Sequence, residues 1–212
     1  MSPYSRNLQR LVWGFLALVI LAIGSAFVWS RLKQNSSATE PLPIYGQVQD
    51  FVLTNQLGES FSNARLRSQI WIADIIFTRC AGPCPVMTHQ MSLLQAALAK
   101  EPSVKLVSLT ADPEFDTPGV LKTYADGFQA ESSRWFFLTG HKKEIYRLAQ
   151  NDLKLAVAEE NPATPVEERF IHSTRFVLVD GKGRVRGFFD SETAGANEQM
   201  LQAVHRLLSE KP

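Results

Sequence analysis

The hydrophobic pattern of this 212-residue chain begins with an uncharged apolar run at residues 11–29, LVWGFLALVILAIGSAFVW. At 1.5 Å per helical residue the run spans about 28 Å, close to the roughly 30 Å hydrocarbon core of a bilayer. Trp13 and Trp29 lie near its two ends, where indole rings favour the membrane interface. The pattern predicts a single transmembrane helix at 11–29 after a short cytoplasmic tail at 1–10. A cleaved signal peptide is the alternative, but no A-x-A site follows the run.

The segment after this run is polar and lacks periodic apolar positions. It reads QNSSATEPLPIYG at residues 34–46. Serine and proline at this density, without a hydrophobic period, are typical of a tether. We therefore expect a flexible linker over 30–46 and one folded domain over 47–212.

Within that domain, strand-like and helix-like apolar patterns alternate. The runs at 70–78, IWIADIIFT, and 104–110, VKLVSLT, are nearly continuous, as expected of strands buried on both faces. Between them, Met87 and Met91 recur at helical spacing behind Pro85, a residue that suits the first turn of a helix. The alternation predicts an α/β fold with a central mixed sheet and helices on both faces. The other predicted elements are a hairpin turning at Gln56–Gly58, strands at 134–140, 175–180 and 184–190, helices beginning near Pro118 and His141, and a last helix that buries Met200, Leu201, Val204, Leu207 and Leu208.

Composition and charge narrow the classes of function. Hydrophobic residues make up 45% of the chain, enough for a sizeable core, and the net charge of +1 gives no reason to expect a nucleic-acid partner. Two cysteines are too few for a disulfide framework or for a four-cysteine zinc site. The sequence contains no glycine-rich phosphate loop and no Ser–His–Asp arrangement.

The two cysteines, Cys80 and Cys84, are separated by three residues in FTRCAGPCP, between a predicted strand and a predicted helix. A helix N-terminus stabilises a thiolate, and Cys84, next to Pro85, is the better placed of the two for this effect. A disulfide across so short a loop would crosslink nothing distant. Two soft thiolates can instead bind Cu(I) together with one imidazole, or cycle between dithiol and disulfide.

Four histidines are candidates for a third ligand. We expect His89, His141 and His205 at exposed helical positions, away from the sulfurs. His172 stands just before the strand STRFVLVD, in a loop that can fold back over the cysteine loop. On the residues alone, copper binding and thiol redox chemistry both remain open.

Four sequence blocks, in order, resemble the Sco (SenC) family of membrane-anchored, thioredoxin-fold copper proteins that assist assembly of cytochrome c oxidase. FTRCAGPCP carries the CxxxCP motif, and ADPEFDTPGVLKTYA resembles the DP-x-x-DTP block. RWFFLTG resembles the W-x-x-LTG block, and FIHSTRFVLVDGKGRVRGFF the block with the metal-binding histidine. The resemblance covers residues 47–208 and implies a thioredoxin-like fold for the domain.

By position, the resemblance implies that Cys80, Cys84 and His172 bind copper, as Cu(I) or, with further ligands, as Cu(II). Asp112 and Asp116 match an acidic motif associated with partner contact or metal handling. For these two carboxylates the alternative is a local role, in a turn and in a helix cap.

Asp74 interrupts the apolar strand six positions before Cys80, the spacing at which thioredoxin has its buried aspartate. A buried carboxylate there would have a raised pKa and could accept a proton from a nearby thiol. The alternative is an acid paired with a lysine, an arginine or a backbone donor.

The resemblance implies a metallochaperone and not a turnover enzyme, with copper passing to the copper-bearing subunit of cytochrome c oxidase. The alternative is a membrane-anchored thiol–disulfide oxidoreductase that keeps the cysteines of that copper site reduced, with Cys80 and Cys84 as its redox pair. Another copper chaperone and a thiol reductant are the further partners expected. We expect the chain in a bacterial inner (cytoplasmic) membrane as a single-pass protein, with its domain on the periplasmic side, because the flanking positive charges favour an N-terminus inside.

Overall fold

The residues described by the computed structural model are 3–37, 41–161, 163–165 and 169–210. They form two compact units, Met1–Pro41 and Leu42–Pro212. Parts of the expected tail and linker, residues 1–2 and 38–40, lie outside the described residues.

The first unit contains one long helix, α1, Pro3–Ser37. Its stretch Gln9–Ala26 is long and apolar enough to cross a membrane, judged by length and composition. Apolar side chains such as Leu11 and Ile20 are 71% and 63% exposed. Apolar surface of this extent is typical of segments that contact a membrane or another protein. The helix also includes residues 30–37, which the sequence assigned to the linker.

The second unit is built around a mixed sheet. The strands of the whole unit are β1 (Gly46–Gln47), β2 (Val52–Asn55), β3 (Ser60–Ser62), β4 (Ile70–Ile76), β5 (Val104–Thr110), β6 (Trp135–Thr139), β7 (Val157–Glu159), β8 (Phe170–His172), β9 (Arg175–Val179) and β10 (Arg184–Asp190). Its helices are α2 (Pro83–Ala97), α3 (Pro118–Gly127), α4 (Lys142–Arg147) and α5 (Ala196–Ser209). A π-helical turn, Leu148–Asp152, extends α4, and a 3-10 turn covers Asn63–Leu66.

The main sheet has the strand order β1-β10-β9-β4-β5-β6-β2-β3. The central strands β4 and β5 run parallel, and every residue of β4 is buried, as the nearly continuous apolar run predicted. Parallel neighbours place the loops after β4, β5 and β6 at the same edge of the sheet. That edge therefore carries both the cysteine loop and the acidic segment that follows β5.

Helices cover both faces of this sheet, as predicted. On one face, Ile72 of β4 packs in a core with Met91 of α2, and residues of α3 and α5 belong to the same core. On the other face, Ala73 of β4 packs in a second core with Ile145 of α4. Successive strand residues point to opposite faces, so one strand joins both cores.

Two details of the sequence interpretation are wrong. Leu208 was expected in the core, but it is 36% exposed, because it lies at the edge of the apolar stripe of α5. His172 was expected in a loop before the next predicted strand. Instead, β7 and β8 form a separate two-stranded antiparallel sheet in which Val157 pairs with His172. Three-residue strands are too short to give a recognisable period.

Candidate metal centre

The cysteine loop is a tight turn between β4 and α2. The backbone N–H of Cys80 donates to the carbonyl of Phe77 at 3.2 Å, and the N–H of Phe77 points at the sulfur of Cys84 at 3.5 Å. Helix α2 begins at Pro83, two residues earlier than Pro85, and a proline costs nothing there because the first N–H groups of a helix have no partner within it. Cys84 lies in the first turn and is fully buried, whereas Cys80 is 8% exposed.

His172 faces the cysteines from the end of β8, not from a loop. Its Nε2 lies 3.1 Å from Sγ of Cys84, and its Nδ1 lies 3.2 Å from the carbonyl oxygen of Ser173. In the tautomer that carries its proton on Nδ1, the ring donates to this carbonyl and Nε2 keeps a free lone pair. The imidazole therefore presents an acceptor nitrogen toward the sulfurs.

Several contacts hold the hairpin of β7 and β8 against the rest of the domain. The side chain of Gln150 donates to the carbonyl of Val157 at 2.7 Å. Phe170 packs against Phe77 with ring centroids 5.2 Å apart. Lys142 of α4 forms an ion pair with Glu159 at the other end of β7. These contacts fix the strand that presents His172.

The three candidate ligand atoms come together as the resemblance implied. The sulfurs of Cys80 and Cys84 and a ring nitrogen of His172 all lie within 4.8 Å of one another. Among the described residues, this is the only group of three or more His, Cys, Asp or Glu side chains that lie close enough together to hold a metal ion. His89, His141 and His205 are exposed and outside this group, as expected.

The two thiols differ in acidity, in the opposite order to the sequence expectation. Hydrogen bonding from Cys84 is the largest effect that lowers the pKa of Cys80, and the imidazole of His172 and the backbone around Gly82 act in the same direction. The same bond and burial raise the pKa of Cys84. The first thiolate of the pair is therefore on Cys80, the sulfur nearer the surface, although Cys84 lies nearer the helix N-terminus.

Asp74 is fully buried in the middle of β4. Neither of its carboxylate oxygens has a hydrogen-bond partner among the described residues, so the alternative of a paired acid is not what the structure has. Burial raises its pKa to about 7, and its polar surroundings offset this effect only in part. At neutral pH this carboxyl group is poised between its neutral and its ionised form.

Asp112 and Asp116 follow β5 and lie next to the cysteine turn, but neither belongs to the group of ligand atoms. Asp112 forms an ion pair with Arg79. Asp116 is fully buried and accepts hydrogen bonds from the backbone N–H and the hydroxyl of Thr78. The N-cap of α3 is Thr117, whose hydroxyl accepts the N–H of Val120, so Asp116 is not the capping residue.

A groove of about 460 Å³ gives access to the candidate ligands. The Cys80–Pro83 loop forms one side of it, and Phe170, Ile171 and His172 of β8 form the other. Cys84 does not line the groove. A partner that approaches along this groove therefore meets Cys80 and His172 first.

Comparison with known proteins gives one consistent family. The model of the SCO1/SenC family matches residues 44–209. The SCO1 protein homolog of Bacillus subtilis is 36% identical over 145 residues, which are 68% of this chain and 73% of the relative.

Solved structures agree with this match. BsSco, described as a member of the Sco family of cytochrome c oxidase assembly proteins with a disulfide switch, superimposes with a TM-score of 0.68. It is 30% identical, and the alignment covers 81% of this chain and all of the BsSco chain. ScoI of Bradyrhizobium japonicum, solved with copper bound, has the same fold with a TM-score of 0.63, at 22% identity over 76% of this chain and 97% of its own. The predicted thioredoxin-like α/β fold is confirmed.

Proposed function

This chain belongs to the SCO1/SenC family, and on that premise we propose that it binds copper through Cys80, Cys84 and His172 and delivers it during assembly of cytochrome c oxidase. The observation that carries the proposal is the convergence of two sulfurs and one imidazole nitrogen within 4.8 Å. In this role the protein is a metallochaperone, and copper is its cargo.

The donor set suits Cu(I). Soft thiolate sulfur and imidazole nitrogen are the ligands that Cu(I) prefers, and three of them satisfy a trigonal ion. A structural zinc ion is almost always bound by four ligands, and no fourth His, Cys or carboxylate joins the group among the described residues. The low pKa of Cys80 also supports metal binding, because a ligating cysteine must lose its proton.

The difference in exposure between the ligands suggests an order of transfer. Cys84 is fully buried beneath the turn, whereas Cys80 and His172 line the open groove. An incoming thiolate or imidazole of the client would replace one of these two ligands first, and Cys84 would release the metal last. Stepwise ligand exchange of this kind never leaves copper without protein ligands.

The same proposal places the protein in a membrane. We propose that α1 anchors a single-pass protein in a bacterial inner (cytoplasmic) membrane, with the domain on the periplasmic side. The proposed organisation is a tail at 1–10, a transmembrane helix at 11–29, a linker at 30–46 and a domain at 47–212. The client would be the copper-bearing subunit of the oxidase. Another copper chaperone would supply the metal, and a thiol reductant would keep Cys80 and Cys84 reduced in this oxidising compartment.

Replacing His172 by alanine tests the proposed ligand set. We expect the reduced full chain in detergent to bind one equivalent of Cu(I), and His172→Ala to bind it about 100-fold more weakly, a loss of about 2.7 kcal/mol. The two sulfurs remain in the variant, so binding weakens without vanishing. Anaerobic competition with a chromophoric Cu(I) chelator measures the affinity. His205→Ala, at an exposed position of α5, is the control and should bind as the wild type does.

Two results would contradict the proposal. One is a wild-type chain that fails to bind one equivalent of Cu(I) tightly. The other is an affinity of His172→Ala equal to that of the wild type, which would remove the imidazole from the site.

A second function is supported by the environment of the sulfurs. A thiol–disulfide oxidoreductase needs a thiol that ionises easily and a nearby group that accepts its proton. Cys80 has a lowered pKa, and Asp74 is buried in the strand that leads to the pair with a pKa of about 7. In this role Cys80 and Cys84 would be catalytic and Asp74 a proton relay, and the client would be the same oxidase subunit with its copper-site cysteines oxidised.

Complementation of oxidase assembly in cells separates the two functions. The copper function requires all three ligands, so both His172→Ala and Cys84→Ser should fail to restore assembly. The reductase function requires only the cysteines. Rescue by His172→Ala together with failure of Cys84→Ser would favour the reductase.

A further inference from the structure

We infer that Asp116 and Asp112 are positioning residues for Cys80. They bind the two residues that precede this cysteine, Thr78 and Arg79, and so determine where its sulfur lies. The inference rests on the proposed function of the Cys80, Cys84 and His172 site. It assigns to the two carboxylates a role that is exerted through the turn and not on the metal.

Asp116 connects the cysteine turn to the end of β5. One carboxylate oxygen accepts the hydroxyl of Thr78 at 2.5 Å, and the other accepts the backbone N–H of Thr78 at 3.2 Å and the hydroxyl of Thr110 at 2.5 Å. Thr110 is the last residue of β5 and pairs in register with Ile76 of β4. The carboxylate is fully buried, so no water competes for these three donors.

Asp112 acts on the next residue of the turn. Its carboxylate, with a side chain only 6% exposed, accepts a hydrogen bond from the guanidinium of Arg79. The guanidinium also stacks on the ring of Phe115, with its carbon 3.9 Å from the ring centroid. Arg79 is therefore held between a charge and an aromatic face, both supplied by the segment after β5.

These contacts hold the middle of the turn, Thr78 and Arg79, which the bonds at the two ends of the turn leave free. The ends of the turn are closed by the bond from Cys80 N–H to the carbonyl of Phe77 and by the approach of Phe77 N–H to the sulfur of Cys84. Thr78 and Arg79 lie between these ends. Because Cys80 follows them directly, a shift of either residue moves its sulfur relative to Cys84 and His172.

The geometry favours this role over the two others considered for these carboxylates. Capping of α3 is performed by Thr117, so Asp116 is not needed for it. Direct metal binding is not supported, because neither carboxylate belongs to the group of ligand atoms. Groups that orient metal ligands typically change metal affinity by 10- to 100-fold when they are removed.

The test is the Cu(I) affinity of Asp116→Ala in the reduced full chain in detergent, at a temperature at which circular dichroism shows the variant to be folded. We expect binding about 10- to 100-fold weaker than in the wild type. Asp116→Asn should recover most of the loss, because its amide oxygen can still accept the N–H of Thr78. Equal affinities of Asp116→Ala and the wild type would overturn the inference.

A matched control separates positioning from general destabilisation. Asp180, in the turn after β9, is a carboxylate with similar burial, 6% exposed, and it accepts hydrogen bonds from Arg184 and Arg186 of β10. That turn lies at the opposite end of the sheet, because β9 runs antiparallel to β4. Asp180→Ala should lower stability and leave the Cu(I) affinity of the folded chain unchanged. A comparable loss of affinity in Asp180→Ala would show that the effect of Asp116 is not specific.

A double-mutant cycle tests whether Asp116 acts through Thr78. Thr78→Val keeps the shape of the side chain and removes its hydroxyl. If the two residues form one unit, Thr78→Val weakens Cu(I) binding in the wild type and has a much smaller effect in Asp116→Ala. Fully additive effects would contradict a pathway through Thr78.

A measurement on the metal-free chain tests the positioning role independently of the proposed function. The position of Cys80 relative to Cys84 also sets how readily the pair forms a disulfide, measured as its equilibrium with the glutathione couple. We expect Asp116→Ala to change this equilibrium constant by about tenfold or more, and Asp180→Ala to leave it unchanged. If the wild-type chain fails to bind Cu(I), the proposed function fails, and this equilibrium alone decides the positioning role.

Discussion

Replacing Cys84 by serine is expected to weaken Cu(I) binding by about a thousandfold or more, at least about 4 kcal/mol. A serine hydroxyl keeps its proton at neutral pH and offers a hard oxygen where Cu(I) requires a soft donor. The loss should exceed that of His172→Ala, because Cys84 is the fully buried ligand and contacts the imidazole directly, with its sulfur 3.1 Å from Nε2.

The fold is expected to survive this substitution. Serine is close in size to cysteine, and its oxygen can accept the N–H of Phe77, which now points at the sulfur at 3.5 Å. The variant therefore changes the chemistry of the donor atom while leaving the turn in place. Retention of the wild-type circular dichroism spectrum would verify this.

Thr88→Val is the matched control for Cys84→Ser. Thr88 lies one turn further along α2, is equally buried, and donates its hydroxyl to the carbonyl of Cys84 at 2.8 Å. Its replacement perturbs the same helical turn without removing a ligand atom. Chelator competition on the full chain in detergent should show a large loss for Cys84→Ser and little change for Thr88→Val. An affinity of Cys84→Ser within tenfold of the wild type would exclude Cys84 from the site.

The central strands and the site could be predicted from the sequence because their signals are local. The run at 104–110 matches β5 residue for residue, and the run at 70–78 ends only two residues beyond β4. Both runs are short and rich in β-branched residues, which favours buried strands over buried helices. The three ligand residues could be identified from motif blocks, since CxxxCP and the histidine block are themselves short stretches of sequence.

What the sequence could not give are contacts between segments distant along the chain. Asp116 reaches Thr78 across 38 positions, and the two meet only because β4 and β5 are parallel neighbours. The hairpin that carries His172 was missed for a related reason. Its strands are held by pairing with each other and by packing on Phe77, and neither interaction leaves a hydrophobic period in so short a segment.

The relative acidity of the two cysteines was also beyond sequence reasoning. Position in the helix favoured Cys84, but a buried thiol next to another sulfur resists ionisation more than the helix N-terminus promotes it. Hydrogen bonding within the pair decides which sulfur is ionised, and this depends on three-dimensional distances that the spacing of three residues does not specify. The outcome assigns the first thiolate to the sulfur that lines the groove.

Replacing Asp74 by asparagine is expected to stabilise the protein above neutral pH. The pKa of Asp74 is about 7 in the folded chain, against about 4 for an ordinary aspartate in the unfolded chain. Between these values the folded chain binds more protons than the unfolded chain, so this group lowers the free energy of unfolding as pH rises from about 4 to about 7, with no further change above that range. In total, ionisation of Asp74 lowers the free energy of unfolding by about 4 kcal/mol.

Urea unfolding of the reduced, metal-free full chain in detergent, at several pH values, measures the difference in the free energy of unfolding between Asp74→Asn and the wild type. Near pH 3 the variant and the wild type should be about equally stable, because the wild-type carboxyl group is then mostly neutral in both states. Near pH 8 Asp74→Asn should be more stable by up to about 4 kcal/mol, since the amide cannot ionise. Asp126→Asn, at an exposed position of α3, should show no such growing difference. A stability difference that does not increase with pH would mean that Asp74 titrates as an ordinary aspartate, and its proposed role as a proton relay for Cys80 and Cys84 would then have no basis.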